Sequence, residues 1–113
     1  MPSHVLLLAT IAAFGALWYW KRPDISPGSA KALIAKGGVL VDVRSPGEFA
    51  AGHLAGARNL PLDRIGKSGA ELGPRDKPIV LYCKSGARSA MAARTLRSAG
   101  YTQVSNLGAM SNW

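Results

Sequence analysis

The chain has 113 residues, one cysteine and two histidines, and sets 14 Lys and Arg against six Asp and Glu for a net charge of +8. One cysteine excludes an intrachain disulfide scaffold and a multi-cysteine metal cluster, and two histidines on opposite sides of an apolar segment exclude a His-rich metal site. With 48% hydrophobic residues the chain is too apolar to be disordered, and it holds no internal repeat.

Residues 1–20 contain no Asp, Glu, Lys or Arg, and Val5 to Trp20 read VLLLATIAAFGALWYW. At 1.5 Å per residue this run reaches about 24 Å, against roughly 30 Å of bilayer hydrocarbon. The closing Trp18, Tyr19 and Trp20 suit the headgroup level. A cleaved secretory signal carries positive charge before its apolar run and small residues at its end. Here Lys21 and Arg22 follow the run and aromatics fill the cleavage position. The expectation is a retained single-pass anchor, residues 1–22, meeting the membrane through residues 4–20, with one small domain at 23–113. Lys21, Arg22, Lys31 and Lys36 lie just past the span and no Lys or Arg precedes it. The positive-inside rule therefore puts the domain in the cytoplasm, a reducing compartment that suits a lone thiol. Anionic headgroups account for the surplus of cations. No basic and aromatic stripe points to nucleic acid, so no nucleic-acid partner is expected.

Residues 21–25 read as a short linker. Ser26 and Pro27 read as N-cap and N1 of a helix running through Lys36 and ended by Gly37-Gly38. Val39 to Val43 is an apolar run suited to a strand covered on both faces. Ser45, Pro46 and Glu48 have the spacing of a capping box, opening a short helix that stops at Gly52. Leu54 to Leu60 reads as a turn into a short strand, and Pro61 to Gly73 as weak helical turns broken by Gly66 and Gly69. Pro78 to Tyr82 is a second buried strand, Arg88 to Ala99 a helix, and Gln103 to Asn106 a further strand. Strands alternating with helices predict an α/β fold with a central parallel sheet flanked by helices, preceded here by one transmembrane helix. In such sheets ligands bind beyond the carboxyl ends of the strands.

Cys83 stands at such an end, followed by Lys84, Ser85, Gly86, Ala87 and Arg88 and then a helix. A strand–loop–helix turn of this kind aims backbone N–H groups at one spot, and the helix N-terminus adds positive potential. With Lys84 and Arg88 nearby, the setting favours a thiolate over a thiol. Gly86 lets the backbone turn through a conformation closed to most residues.

The loop from Cys83 to Arg88 resembles the active-site loop of the rhodanese (sulfurtransferase) domain. Val39 to Phe49 resembles that family's first signature, Gly52 to Pro61 the segment after it, and Gly100 to Gly108 with Trp113 its closing segment. The resemblance covers about residues 25–113 and is to the single-domain members. It implies a reaction in two steps. Cys83 takes sulfur from a small anionic donor such as thiosulfate and becomes a persulfide, then hands it to a thiophilic acceptor, cyanide or a thiol, including a possible protein acceptor. Cys83 is thereby the expected catalytic residue, with Lys84, Ser85, Gly86, Ala87 and Arg88 binding substrate and Asp42 and Arg44 in support. No metal or organic cofactor is implied. Related cysteine phosphatases place five residues between Cys and Arg. The four here make a tighter cradle, suited to one sulfur atom.

Two other readings share the loop: a persulfide carrier or interaction module with little turnover on small donors, and a catalytically idle scaffold. Asp42 reads as a structural partner of Arg44, Glu48 is accounted for by the capping box, and His53 reads as structural. The family's closing segment usually holds a glycine pair, where this chain has Gly108-Ala109. That departure reads as one of the closing segment rather than of the cysteine loop, and it bears on stability and on how closed the site is.

Overall fold

Val39–Asp42 and Ile79–Cys83 are stretches of β-branched and leucine side chains with one or two polar residues at their ends. In the computed structural model, which describes residues 21–113, they lie side by side at the centre of a sheet. The elements in chain order are α1 (Pro27–Ala35), β1 (Val39–Asp42), α2 (Pro46–Ala51), β2 (Arg58–Asn59), α3 (Gly69–Leu72), β3 (Ile79–Cys83), α4 (Ala87–Ser98) and β4 (Val104–Ala109). Single 3-10 segments occupy Leu62–Lys67 and Met110–Asn112. The sheet order is β2-β1-β3-β4 and every pairing is parallel.

Both central strands are buried along their whole length. Their side chains alternate between two cores, as the two-residue period of a strand requires. Val39, Val41, Ile79, Leu81 and Cys83 face Ala92, Ala93 and Leu96 of α4, with Ile65 and Leu72 closing that side. Leu40, Val80 and Tyr82 face Ala30 of α1, with Leu33, Ile34, Met110 and Trp113 packed at the margin. The parallel α/β sandwich expected from the sequence is therefore present, with the sheet covered on both faces.

The predicted caps are in place. The Ser26 hydroxyl accepts from the Ser29 N–H. Ser45 and Glu48 form the reciprocal capping box, each side chain taking the other's backbone N–H.

Three local expectations change. The break between residues 62 and 72 falls at the buried Ser68, whose hydroxyl donates to the Arg64 carbonyl, and Gly66 stays inside the 3-10 segment. β4 runs three residues past Asn106, to Ala109. Its low-propensity Asn106 and Gly108 are held because the Asn106 side chain accepts the Gly108 N–H at 2.9 Å. Residues 21–25 are tied to the domain: the Asp24 N–H donates to the Asn106 carbonyl at 2.9 Å.

Among the described residues no helix is long and apolar enough to cross a membrane. The run expected to do so lies at residues 1–20, outside the described residues.

Candidate active site at the cysteine loop

β3 is flanked by β1 and β4, so its carboxyl end falls in the middle of the sheet edge. Cys83 is the last residue of that strand, and α4 begins four residues later at Ala87. The intervening turn needs Gly86, whose φ of +98° lies in the left-handed region. That turn brings the Gly86 N–H back onto Cys83, donating to Sγ at 2.9 Å. The N-terminus of the 12-residue α4 points its dipole into the same place.

Cys83 is fully buried. Beneath it lies Ser89, also fully buried, with Oγ 3.4 Å from Sγ. The Ser89 hydroxyl donates to the Gly86 carbonyl at 3.1 Å. Across the Cys83 contact either the hydroxyl or the thiol can be the donor. Ser89 ties the first turn of α4 to the loop backbone and sets the floor under the sulfur. Sequence reasoning passed over it. The available signal was a serine on the inward face of α4, among Ala90, Ala92, Ala93 and Leu96.

Lys84 and Ser85 are exposed at the rim. Arg88 reaches back across the loop to α2, where its two terminal nitrogens meet the two Glu48 oxygens at 2.6 and 2.9 Å. Glu48 therefore has a second partner besides its cap. Its carboxyl is pulled from 4.5 down to about 2, first by the Arg88 hydrogen bond and next by the Ser45 N–H. The Arg88 guanidinium is pushed up, chiefly by Glu48, and negative charge on Cys83 acts in the same sense. Arg88 thus has both terminal nitrogens held by the Glu48 carboxylate of α2.

Behind the loop, at the end of β1, Asp42 and Arg44 form a buried pair. Arg44 donates from Nη2 to Asp42 Oδ2 at 2.6 Å and to the Gly52 carbonyl at 2.7 Å. Asp42 Oδ1 also accepts the Arg44 N–H at 2.9 Å. The pair is structural, as expected, and it fastens the end of α2, which carries Glu48, to the sheet. His53 stacks on Phe49 with ring centroids 3.6 Å apart and hydrogen-bonds the Phe49 carbonyl, a structural placement.

The six residues Cys83 to Arg88 therefore share one loop, and the Asp42–Arg44 pair lies at the carboxyl end of the neighbouring strand β1. On one flank of the loop a cleft of about 430 Å³ is lined by Val43, Pro46, Pro61 and Leu62, with Asp63 and Arg88 as its charged groups. On the other flank Ala109 pairs in register with Cys83. The Gly108-Ala109 departure thus touches the cysteine strand directly, because β4 is long enough to carry it there.

Residues 26–113 match the family model described as the rhodanese-like domain. The chain belongs to the rhodanese-like domain family. An uncharacterized protein of Bacillus subtilis, YqhL, is 47% identical over 66% of this chain, a stretch that spans 59% of that relative's length. The thiosulfate sulfurtransferase GlpE of Ectopseudomonas mendocina is 36% identical over 79% of this chain and 82% of its own. Among solved structures, the human single-domain sulfurtransferase TSTD1 superimposes with a TM-score of 0.72 at 31% identity, covering 81% of this chain and 95% of that one. Cys83 at the end of β3 and the loop to Arg88 lie within the residues that match this domain.

Proposed function

We propose that this rhodanese-like domain is a sulfurtransferase that moves a sulfane sulfur through a persulfide on Cys83. The observation that carries the proposal is the placement of Sγ at the carboxyl end of the central strand, 2.9 Å from the Gly86 N–H and at the N-terminus of α4. The Cys83 thiolate attacks the outer sulfur of thiosulfate, the thiosulfate S–S bond breaks, and sulfite leaves with its electron pair. A thiophilic acceptor, cyanide or a thiolate, then attacks the outer sulfur of the persulfide. The persulfide S–S bond breaks, thiocyanate or a new persulfide leaves, and the Cys83 thiolate returns. The sulfur rides on the protein, so the cycle calls for no further carrier.

The loop supplies what each step needs. The Gly86 N–H and the α4 dipole stabilise negative charge at the sulfur. Lys84, exposed at the rim, attracts the dianionic donor, while the Arg88 charge is balanced by Glu48. Support for thiosulfate as donor comes from the GlpE relative and from the cationic rim. We further assign residues 4–20 to a membrane anchor, with the domain facing the cytoplasm. That assignment rests on the uncharged run and the cations that follow it.

Steady-state assay of the full chain with thiosulfate and cyanide tests the function, together with mass spectrometry of the thiosulfate-treated protein. Turnover abolished by Cys83→Ser, with one extra sulfur on Cys83 in the native chain, is the expected result. A stable extra sulfur without turnover identifies a carrier instead, and no extra sulfur at all rejects both. Alkaline extraction of membranes from expressing cells tests the anchor, which predicts that the chain stays in the pellet.

A further inference from the structure

The residues ahead of α1 read as a linker in the sequence, yet Asp24 fastens them to the outer edge of β4. Its N–H donates to the Asn106 carbonyl, and its carboxylate accepts the Asn106 N–H at 2.6 Å. The other carboxylate oxygen pairs with Arg97 at 2.9 Å. The lead-in thus covers hydrogen-bonding groups that an edge strand otherwise leaves open.

Just before Asp24 the chain packs on the cysteine loop itself. A Cβ placed on Gly86 would stand 2.8 Å from the Lys21 carbonyl oxygen, and one on Gly108 would stand 3.2 Å from Pro23 Cγ. The lead-in therefore fills the space that side chains at these two positions would take. Lys21, Arg22 and Pro23 then enclose a cleft of about 210 Å³ with Ser85, Ala109 and Asn112. Ser85 belongs to the cysteine loop and Ala109 is the register partner of Cys83. Two of the six lining residues are cations and none is acidic. The Asp24 carboxylate is turned away from this cleft, onto Asn106 and Arg97.

We infer that Lys21–Asp24 is a fixed cationic wall of the Cys83 site, that Asp24 is the positioning residue that locks it, and that the wall favours anionic over neutral reactants at the sulfur. The inference deepens the sulfur-transfer reading and rests on Cys83 being the reacting atom. A free linker would carry its two charges through solvent, where salt screens them. Held in a concave surface beside the loop, the same charges raise the local concentration of anions.

The test is the ratio of second-order rates at which iodoacetate and iodoacetamide alkylate Cys83 in the full 113-residue chain at low salt. Both reagents meet the same thiolate, so the ratio cancels any change in ionisation and reads the field at the mouth. Lys21→Gln/Arg22→Gln removes the charges and leaves the backbone. Asp24→Ala removes the lock and keeps Lys21 and Arg22; the carboxylate it also removes from Arg97 would by itself raise the ratio, so a fall reads the lost placement of the wall. Each is expected to lower the ratio by about 3-fold or more, and Asp24→Ala is also expected to speed hydrogen exchange at the Asn106 amide. An unchanged ratio in the charge variant overturns the inference. A lowered ratio there that Asp24→Ala leaves at the native value, with Asn106 exchange accelerated, overturns the lock. If Asp24→Ala fails to fold, Asp24→Asn takes its place, since it keeps an acceptor for the Asn106 N–H and loses the ion pair with Arg97. Alkylation involves no sulfur transfer, so failure of the persulfide assay with the ratios as expected sinks the function and spares the wall.

Discussion

Glu48 does two jobs at the level of a single side chain. It closes the capping box of α2 and holds Arg88 with both oxygens. Its folded value of about 2 lies below its ordinary 4.5, so the stabilisation is full above pH 4.5 and is lost as pH falls toward 2. In chemical denaturation the native chain should exceed Glu48→Gln in stability by a constant margin at neutral pH, and that margin should shrink below about pH 4.5. A margin that stays level down to pH 2 would show that the pair contributes nothing. Asp42 makes a different case because it is fully buried beside Arg44. Asp42→Asn leaves a buried guanidinium without its counter-charge and should cost about 3–5 kcal/mol. Calorimetry of the variant measures that loss, and a change below 1 kcal/mol would mean the pair behaves as a surface one.

The elements show the same logic one level up. α2 is only six residues long, so its cap is a large share of what holds it. Ser45→Ala should destabilise the domain by about 1 kcal/mol and loosen the platform under Glu48. β3 carries its two faces into two different cores, and Tyr82 is the largest side chain it buries. Burial pushes the Tyr82 phenol up to about 12, outweighing the N–H it accepts from Leu54. Its folded value lies above the ordinary 10, so stability present below pH 10 is lost as pH rises toward 12. Ultraviolet titration of the folded protein should therefore show one phenol that ionises late. A Tyr82→Phe variant that keeps the same late step would refute the assignment.

At the scale of the whole molecule the net charge of +8 bears on encounter rather than on fold. Sulfur loading by thiosulfate should slow steeply as salt is added, because the donor is doubly negative and the rim is cationic. Alkylation of Cys83 by neutral iodoacetamide should stay nearly flat over the same range. Equal salt dependence for both reagents would remove steering from the mechanism. The loop from Cys83 to Arg88 sits between two clefts, one walled by Val43, Pro46, Pro61 and Leu62 and the other by the lead-in. The first carries both an acid and a base, the second only bases, so the two flanks of one sulfur differ in charge.

Much of this was legible in the residues alone. The caps at Ser26 and Ser45, the two apolar strands and the Cys83 loop depend on contacts within a few positions of one another. Local sequence encodes such contacts directly: a hydroxyl three residues ahead of an N–H, or a glycine where the backbone must turn. Three features depended on the tertiary structure. Ser89 came to lie under the sulfur, Arg88 reached across to Glu48, and residues 21–24 became a wall through Asp24 and Asn106. Each joins groups whose meeting is fixed by how helices and strands stack, and no spacing along the chain reports that. β4 belongs with them in part: its Asn106 and Gly108 are poor strand formers by propensity, and while the Asn106 side chain accepts the Gly108 N–H two residues on, the fold brings in the Asp24 carboxylate for the Asn106 N–H and the pairing of Ala109 beside the cysteine.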